Sequence, residues 1–328
     1  MRTVGLIVIA LALPLVSSAQ TVVFDDVLFG HTDTTDTYES ATPQAPTSSS
    51  TAFEYFQQGG SPNGGFLPGD FQLDGRTTSS SSSELQALFT TTPVTLATVG
   101  DYINFTITYV NTLNTFPSNS ASTLNIGLYN SGGSAPAQGT RLDASGEGTG
   151  GAVGWLGYVG RIVSTNTAVS SIYTRPAQGA GVTNPNQSQD VLFNGASSTS
   201  SYSNPMGSTL GTSSPYINGL TGLQTYTLQL QISLSAPGTL TINNAIYSGS
   251  GDDPANLLYS QIASTDTSLT TSFDALAFGW RYNSTSGPSR VDVDEIKVTD
   301  LVQSVPEPSV MALSGIAFAG LVARLRRK

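Results

Sequence analysis

The chain has 328 residues, with 12 Lys and Arg against 22 Asp and Glu, one histidine and no cysteine. Without cysteine there are no disulfides and no thiolate metal or redox sites, and a lone histidine is a poor basis for a zinc centre. The acidic balance excludes electrostatic binding to nucleic acid, and a charged content of 10% with abundant Gly, Ser, Thr and Asn points to β structure with many turns.

Residues 1 to 19 read as a secretory signal peptide. Arg2 supplies the basic start and Val4 to Val16 the apolar stretch. Ser17-Ser18-Ala19 puts small residues ahead of a cleavage between Ala19 and Gln20. The expected body runs from 20 to 304. Setting aside Arg2, Glu307 and the four cations of the C-terminal tail leaves it with 7 basic and 21 acidic residues, a net charge near −14 and a single lysine, Lys297. Stability must then come from burial.

Alternation with period two recurs along the body, while helical periodicity is nearly absent. Strands are expected at Val22 to Phe29, Leu85 to Phe89, Asp101 to Val110, Leu124 to Leu128, Val153 to Val163, Ser170 to Tyr173 and Val191 to Phe193. The clearest is Thr225 to Leu234, with Tyr226, Leu228, Leu230, Ile232 and Leu234 on one face. Pro237-Gly238 then turns it into a partner strand from Thr239. Leu269 to Trp280 and Arg290 to Thr299 complete the set. Half-apolar, half-hydroxyl faces predict antiparallel sheets stacked as a two-sheet β-sandwich. Low-complexity breaks at Thr42 to Thr51 and Thr77 to Ser83 read as surface loops. A third, Gly195 to Ser214, is compatible with a domain boundary or with one long loop.

In the last strand Val291 and Val293 alternate, then Ile296 and Val298, so the apolar phase slips by one. That slip predicts a β-bulge at Asp294-Glu295. Asp292, Asp294 and Glu295 crowd three carboxylates together, which is either a Ca²⁺ site or a solvated acidic edge. Asp25-Asp26 and Asp252-Asp253 are weaker candidates of the same kind. For sugar binding, which needs aromatic faces beside amide and carboxylate groups, Trp155, Tyr158, Trp280 and Tyr282 are the candidates. Trp155 and Tyr158 differ in parity and should face opposite ways, whereas Trp280 and Tyr282 share parity and form the better pair. His31 reads as an exposed loop residue. There is no Gly-x-Ser-x-Gly elbow, phosphate loop or Glu-x-Asp-x-x-Glu strand, so no catalytic residues are nominated.

The Val22-Val23-Phe24-Asp25-Asp26 strand, the Val99-Gly100-Asp101-Tyr102-Ile103 start of a core strand, and the Phe273 to Trp280 and Arg290 to Thr299 ending together resemble concanavalin-like or LamG-type jelly-roll modules. The resemblance implies a sandwich whose relatives often bind glycans.

The chain's tail, residues 305 to 328, has three parts in order. Val305-Pro306-Glu307-Pro308 is a stiff, extended segment, since two prolines can join neither helix nor ladder. Val310 to Ala323 is an apolar run of 14 residues. As a helix it would be about 21 Å long, short against a hydrocarbon core of about 30 Å unless the flanking arginines snorkel. Arg324, Arg326, Arg327 and Lys328 form a basic end that is retained on the cytoplasmic side. With these parts in this order the tail resembles the PEP-CTERM sorting signal of Gram-negative bacteria, a short transmembrane segment read by exosortase. The resemblance implies export through the Sec machinery, an inner-membrane intermediate, removal of the tail, and transfer to the outer surface, often with exopolysaccharide. The expected protein is therefore a secreted, all-β, non-catalytic structural or adhesive module of the cell surface or biofilm matrix. Its expected partners are exosortase, the Sec machinery and exopolysaccharide, with glycan binding as the specific hypothesis; no cofactor is certain, Ca²⁺ at Asp292, Asp294 and Glu295 being one of the two readings of that cluster. The alternative is a secreted glycosidase or lyase on the same sandwich.

Overall fold

The computed structural model describes residues 20–27, 55–59, 65–67, 70–75, 81–111, 123–133, 154–163, 170–176, 209–214, 220–265, 268–282 and 289–302. The signal peptide, His31, the Thr42 to Thr51 and Val191 to Phe193 segments and the whole C-terminal tail lie outside them. No helix among the described residues is long and apolar enough to cross a membrane.

Seventeen strands are present among the described residues. They are β1 (Thr21–Val27), β2 (Tyr55–Gly59), β3 (Gly65–Leu67), β4 (Asp70–Gly75), β5 (Ser81–Leu88), β6 (Val94–Thr95), β7 (Tyr102–Asn111), β8 (Thr123–Asn130), β9 (Leu156–Val163), β10 (Ser170–Arg175), β11 (Thr209–Ser214), β12 (Thr225–Ala236), β13 (Thr239–Ser248), β14 (Leu257–Thr265), β15 (Ser272–Phe273), β16 (Ala275–Tyr282) and β17 (Ser289–Leu301). An eight-stranded sheet runs β14-β13-β12-β7-β17-β4-β3, with β1 also on β17. A seven-stranded sheet runs β11-β10-β9-β8-β16-β5-β2, and β6 pairs with β15 apart from both. Every pairing is antiparallel, so the fold is an all-β two-sheet sandwich.

The period-two pattern explains the stacking. Ile103, Phe105, Ile107 and Tyr109 of β7 and Leu228, Leu230 and Ile232 of β12 are fully buried. They share one apolar core with Leu124, Ile126 and Leu128 of β8 and with Leu276 and Phe278 of β16 in the other sheet. Burying each of these side chains contributes about 1.5–3 kcal/mol. Tyr109 lies between Tyr226 and Phe278, with ring centroids 5.9 and 6.3 Å away. Burial there pushes its phenol well above the ordinary tyrosine range.

The predicted bulge is present. Against β7, the register of β17 shifts between Val293 and Glu295, leaving Asp294 as the extra residue. The slip lets Val291, Val293, Ile296 and Val298 all reach the core. The other edge of β17 is divided: residues 289–293 pair with β4 and 295–300 with β1, so the bulge falls where one partner ends and the next begins.

Three local expectations are corrected. Ser81 to Ser83 is not loop but the start of β5, paired in turn to Tyr282, Arg281 and Trp280 of β16; small hydroxyl side chains do not prevent ladder pairing. The end of the Gly195 to Ser214 break is strand β11, hydrogen-bonded to β10. The single strand expected from Leu269 is divided at Asp274. Its carboxylate accepts from the Ser131 amide at 2.7 Å and the Ser131 hydroxyl at 2.8 Å. Its backbone meanwhile bridges Tyr129 and Phe89. Asp274 thus ties the turn after β8 to the junction of β15 and β16.

Candidate functional site

The sequence-predicted residues separate. Trp155 and Tyr158 do face opposite ways, but neither is a surface platform, because both are fully buried. Tyr158 joins the core between the sheets, 6.3 Å from Phe273, and its hydroxyl accepts from the Leu269 amide at 2.8 Å. Trp155 joins a second, smaller cluster with Leu88, Tyr129, Val159, Ala275 and Ala277 on the outer side of the seven-stranded sheet. Trp280 and Tyr282 close β16, two and four residues beyond Phe278. They therefore carry the parity of the inter-sheet core face. Their side chains lie outside the described residues.

Of the three clustered carboxylates, Asp292 is nearly buried, and Glu295 lies 3.4 Å from the Lys297 ammonium. Lys297 also pairs with Asp25 across β1 and β17 at 2.6 Å. That hydrogen bond holds the lysine above its ordinary pKa, against an opposing effect of burial. Asp253 accepts from the Ala255 amide at the start of a short 3-10 turn, and Asp252 accepts from the Asn104 and Gln229 amides. Among the described residues no group of three or more His, Cys, Asp and Glu side chains gathers to hold a metal.

The outer face of the seven-stranded sheet carries the least expected chemistry. Register places its residues in cross-strand rows. Leu88, Ala275, Tyr129, Gly157 and Arg175 form one row over β5, β16, β8, β9 and β10, and Gln86, Ala277, Gly127, Val159 and Tyr173 form the next. This end is apolar and closed. The Tyr129 ring lies back over Gly127, where a Cβ would overlap it, and packs against Trp155 with centroids 6.0 Å apart. The buried Arg175 guanidinium donates to the Trp155 carbonyl.

The third row is Glu84, Gly279, Asn125, Arg161 and Ser171. Here the face turns polar. Asn125 is 3% exposed, and its amide nitrogen donates to the Thr123 hydroxyl at 3.1 Å. Its carbonyl oxygen is buried and accepts nothing. Directly opposite, Arg161 is partly buried with its Nε sequestered and donating to nothing. Directly paired side chains on one face lie about 5 Å apart at Cβ. A buried acceptor and a buried donor thus sit side by side without protein partners, and each unmade bond costs about 1–3 kcal/mol. Sequence reasoning missed both residues. The available signal was that Asn125 occupies the wet face of the Leu124-Ile126-Leu128 strand and that cations are scarce in the body.

Residues 304–328 match the PEP-CTERM protein-sorting motif. The tail is a PEP-CTERM sorting segment. Such a signal implies an exported protein with a membrane-anchored intermediate, processed by exosortase and delivered to the cell surface. The match covers the tail alone and assigns nothing to the sandwich. No curated protein matches the chain. Among solved structures, a protein of unknown function, SO2946 from Shewanella oneidensis MR-1, is 13% identical with a TM-score of 0.40, over 93% of this chain and 98% of that one. The legume lectin-like domain from Entamoeba histolytica is 10% identical with a TM-score of 0.38, over 74% and 88%. Lectin II from Ulex europaeus is 12% identical with a TM-score of 0.33, over 76% and 93%. Likenesses of this size carry no argument about ligand or activity.

Proposed function

We propose that the exported sandwich is a non-catalytic structural and adhesive module at the outer surface of a Gram-negative-type bacterium, where it binds exopolysaccharide through the polar end of its seven-stranded sheet. The observation that supports this reading is the pair Asn125 and Arg161, a buried carbonyl oxygen and a buried guanidinium Nε left without partners on one outer face. Sugars present hydroxyl groups that donate to the first and accept from the second.

This reading moves the sugar contacts away from Trp280 and Tyr282, whose parity matches the inter-sheet core. A polysaccharide array probed with the secreted protein tests it. The expected result is saturable binding to at least one polymer that Asn125→Ala weakens with the melting temperature unchanged or raised. Binding that is indifferent to Asn125→Ala would refute this placement of the site.

A further inference from the structure

The outer face of the seven-stranded sheet has a charge that stands against the rest of the body. Of the body's 7 basic residues, three (Arg161, Arg175 and Arg281) occupy positions on the outer face of that sheet. Among the described strands of the sheet, Glu84 is the one acid with the same parity. The remainder of the body is strongly acidic, so this face is a cationic exception. Arg175 is consumed by the Trp155 carbonyl at the closed end. Arg161 is different. Its buried Nε has no hydrogen-bond partner, and among the described residues no acid forms an ion pair with it, although its position fixes it beside the unpaired Asn125 oxygen.

A guanidinium in this setting is matched by a planar anion, because a carboxylate takes two of its N–H donors at once while a hydroxyl takes one. The adjacent Asn125 oxygen requires a donor about one strand spacing away. A carboxylate and a hydroxyl on one sugar ring supply both. Resting on the polysaccharide reading above, we infer that the ligand of the Arg161–Asn125 site is an acidic polysaccharide, a polymer of sugar carboxylates such as uronates. A strongly acidic protein would be repelled by such a polymer over most of its surface, and that repulsion restricts binding to this face.

Two probes with one backbone separate charge from sugar: polygalacturonate, and the same polymer with its carboxylates methyl-esterified. Titrated with the secreted protein, the acidic polymer is expected to bind and the ester to bind at least about tenfold less tightly. Arg161→Gln should remove that difference, Arg161→Lys should restore part of it, and added salt should weaken the acidic polymer alone. Because the buried Arg161 Nε has no hydrogen-bond partner, Arg161→Gln should melt with the wild type. Equal binding of both polymers, or tighter binding of the ester, that Asn125→Ala weakens and Arg161→Gln does not would overturn the acidic ligand and leave polysaccharide binding standing. A folded protein that binds neither polymer nor any of a panel of neutral glucans and galactans would overturn both.

Discussion

Two asparagines on facing sheets carry opposite lessons. Asn244 of β13 lies between the sheets, fully buried, and neither its amide nitrogen nor its oxygen has a partner. It fits only because Gly160 of β9 faces it; a Cβ there would overlap the carboxamide. Asn125 of β8 is on the outer face, with its nitrogen satisfied by Thr123 and only its oxygen open, beside an equally open guanidinium. The inner amide is enclosed by both sheets and has no route to a ligand, so its unmade bonds are a cost to stability alone. The outer one shares its open state with a charged neighbour that retains exposure. An unsatisfied polar group therefore reads as function only where its surroundings also offer complementary chemistry and a way in.

The comparison can be broken most severely at Gly160. Gly160→Ala should cost about 1–3 kcal/mol by overpacking, in thermal or denaturant unfolding. Combining it with Asn244→Ala should recover much of that loss, since the two side chains compete for one space. A fully additive double variant would show that the enclosure of Asn244 is not the cause.

Asn244→Leu sharpens the contrast with a change of nearly equal shape. It removes two buried, unpaired polar groups and should stabilise by about 1–2 kcal/mol, with polysaccharide binding unchanged. A loss of binding in this variant would erase the distinction between the two sites.

The smallest effect is expected at Lys297, the single lysine of the body, on the outer face of the eight-stranded sheet. Its side chain is about a third exposed, so screening limits the Asp25 pair to under about 1 kcal/mol. The folded lysine is held above its ordinary pKa. Its contribution is therefore complete below the unfolded value of about 10.4 and fades as pH rises through the folded one. Lys297→Met should lower stability slightly at neutral pH and match the wild type once the lysine is deprotonated. A deficit that persists at high pH would assign the effect to packing.

The sequence makes these regions unequally legible. Strands that bury one face, β7, β8 and β12, announce themselves through strict alternation, and the bulge in β17 is readable because the apolar phase must slip by one there. β14 was missed because its outward positions carry Leu258 and Ile262, 48% and 64% exposed, which breaks the alternation. β11 was missed inside a Ser/Thr-rich run. The break at Asp274 depends on Ser131, 143 residues away, and no local pattern reports it. The site was hidden for the same reason. Asn125 and Arg161 are ordinary residues in sequence, and only the pairing of β8 with β9 makes them neighbours.

The most direct test follows the two asparagine side chains themselves. Protein labelled with ¹⁵N-asparagine, with the two amide signals assigned through Asn125→Ala and Asn244→Leu, would be titrated with polygalacturonate oligomers. The account predicts a saturable shift of the Asn125 carboxamide signal while Asn244 stays in place. An Asn125 signal that does not move, or an Asn244 signal that moves as far, would contradict it.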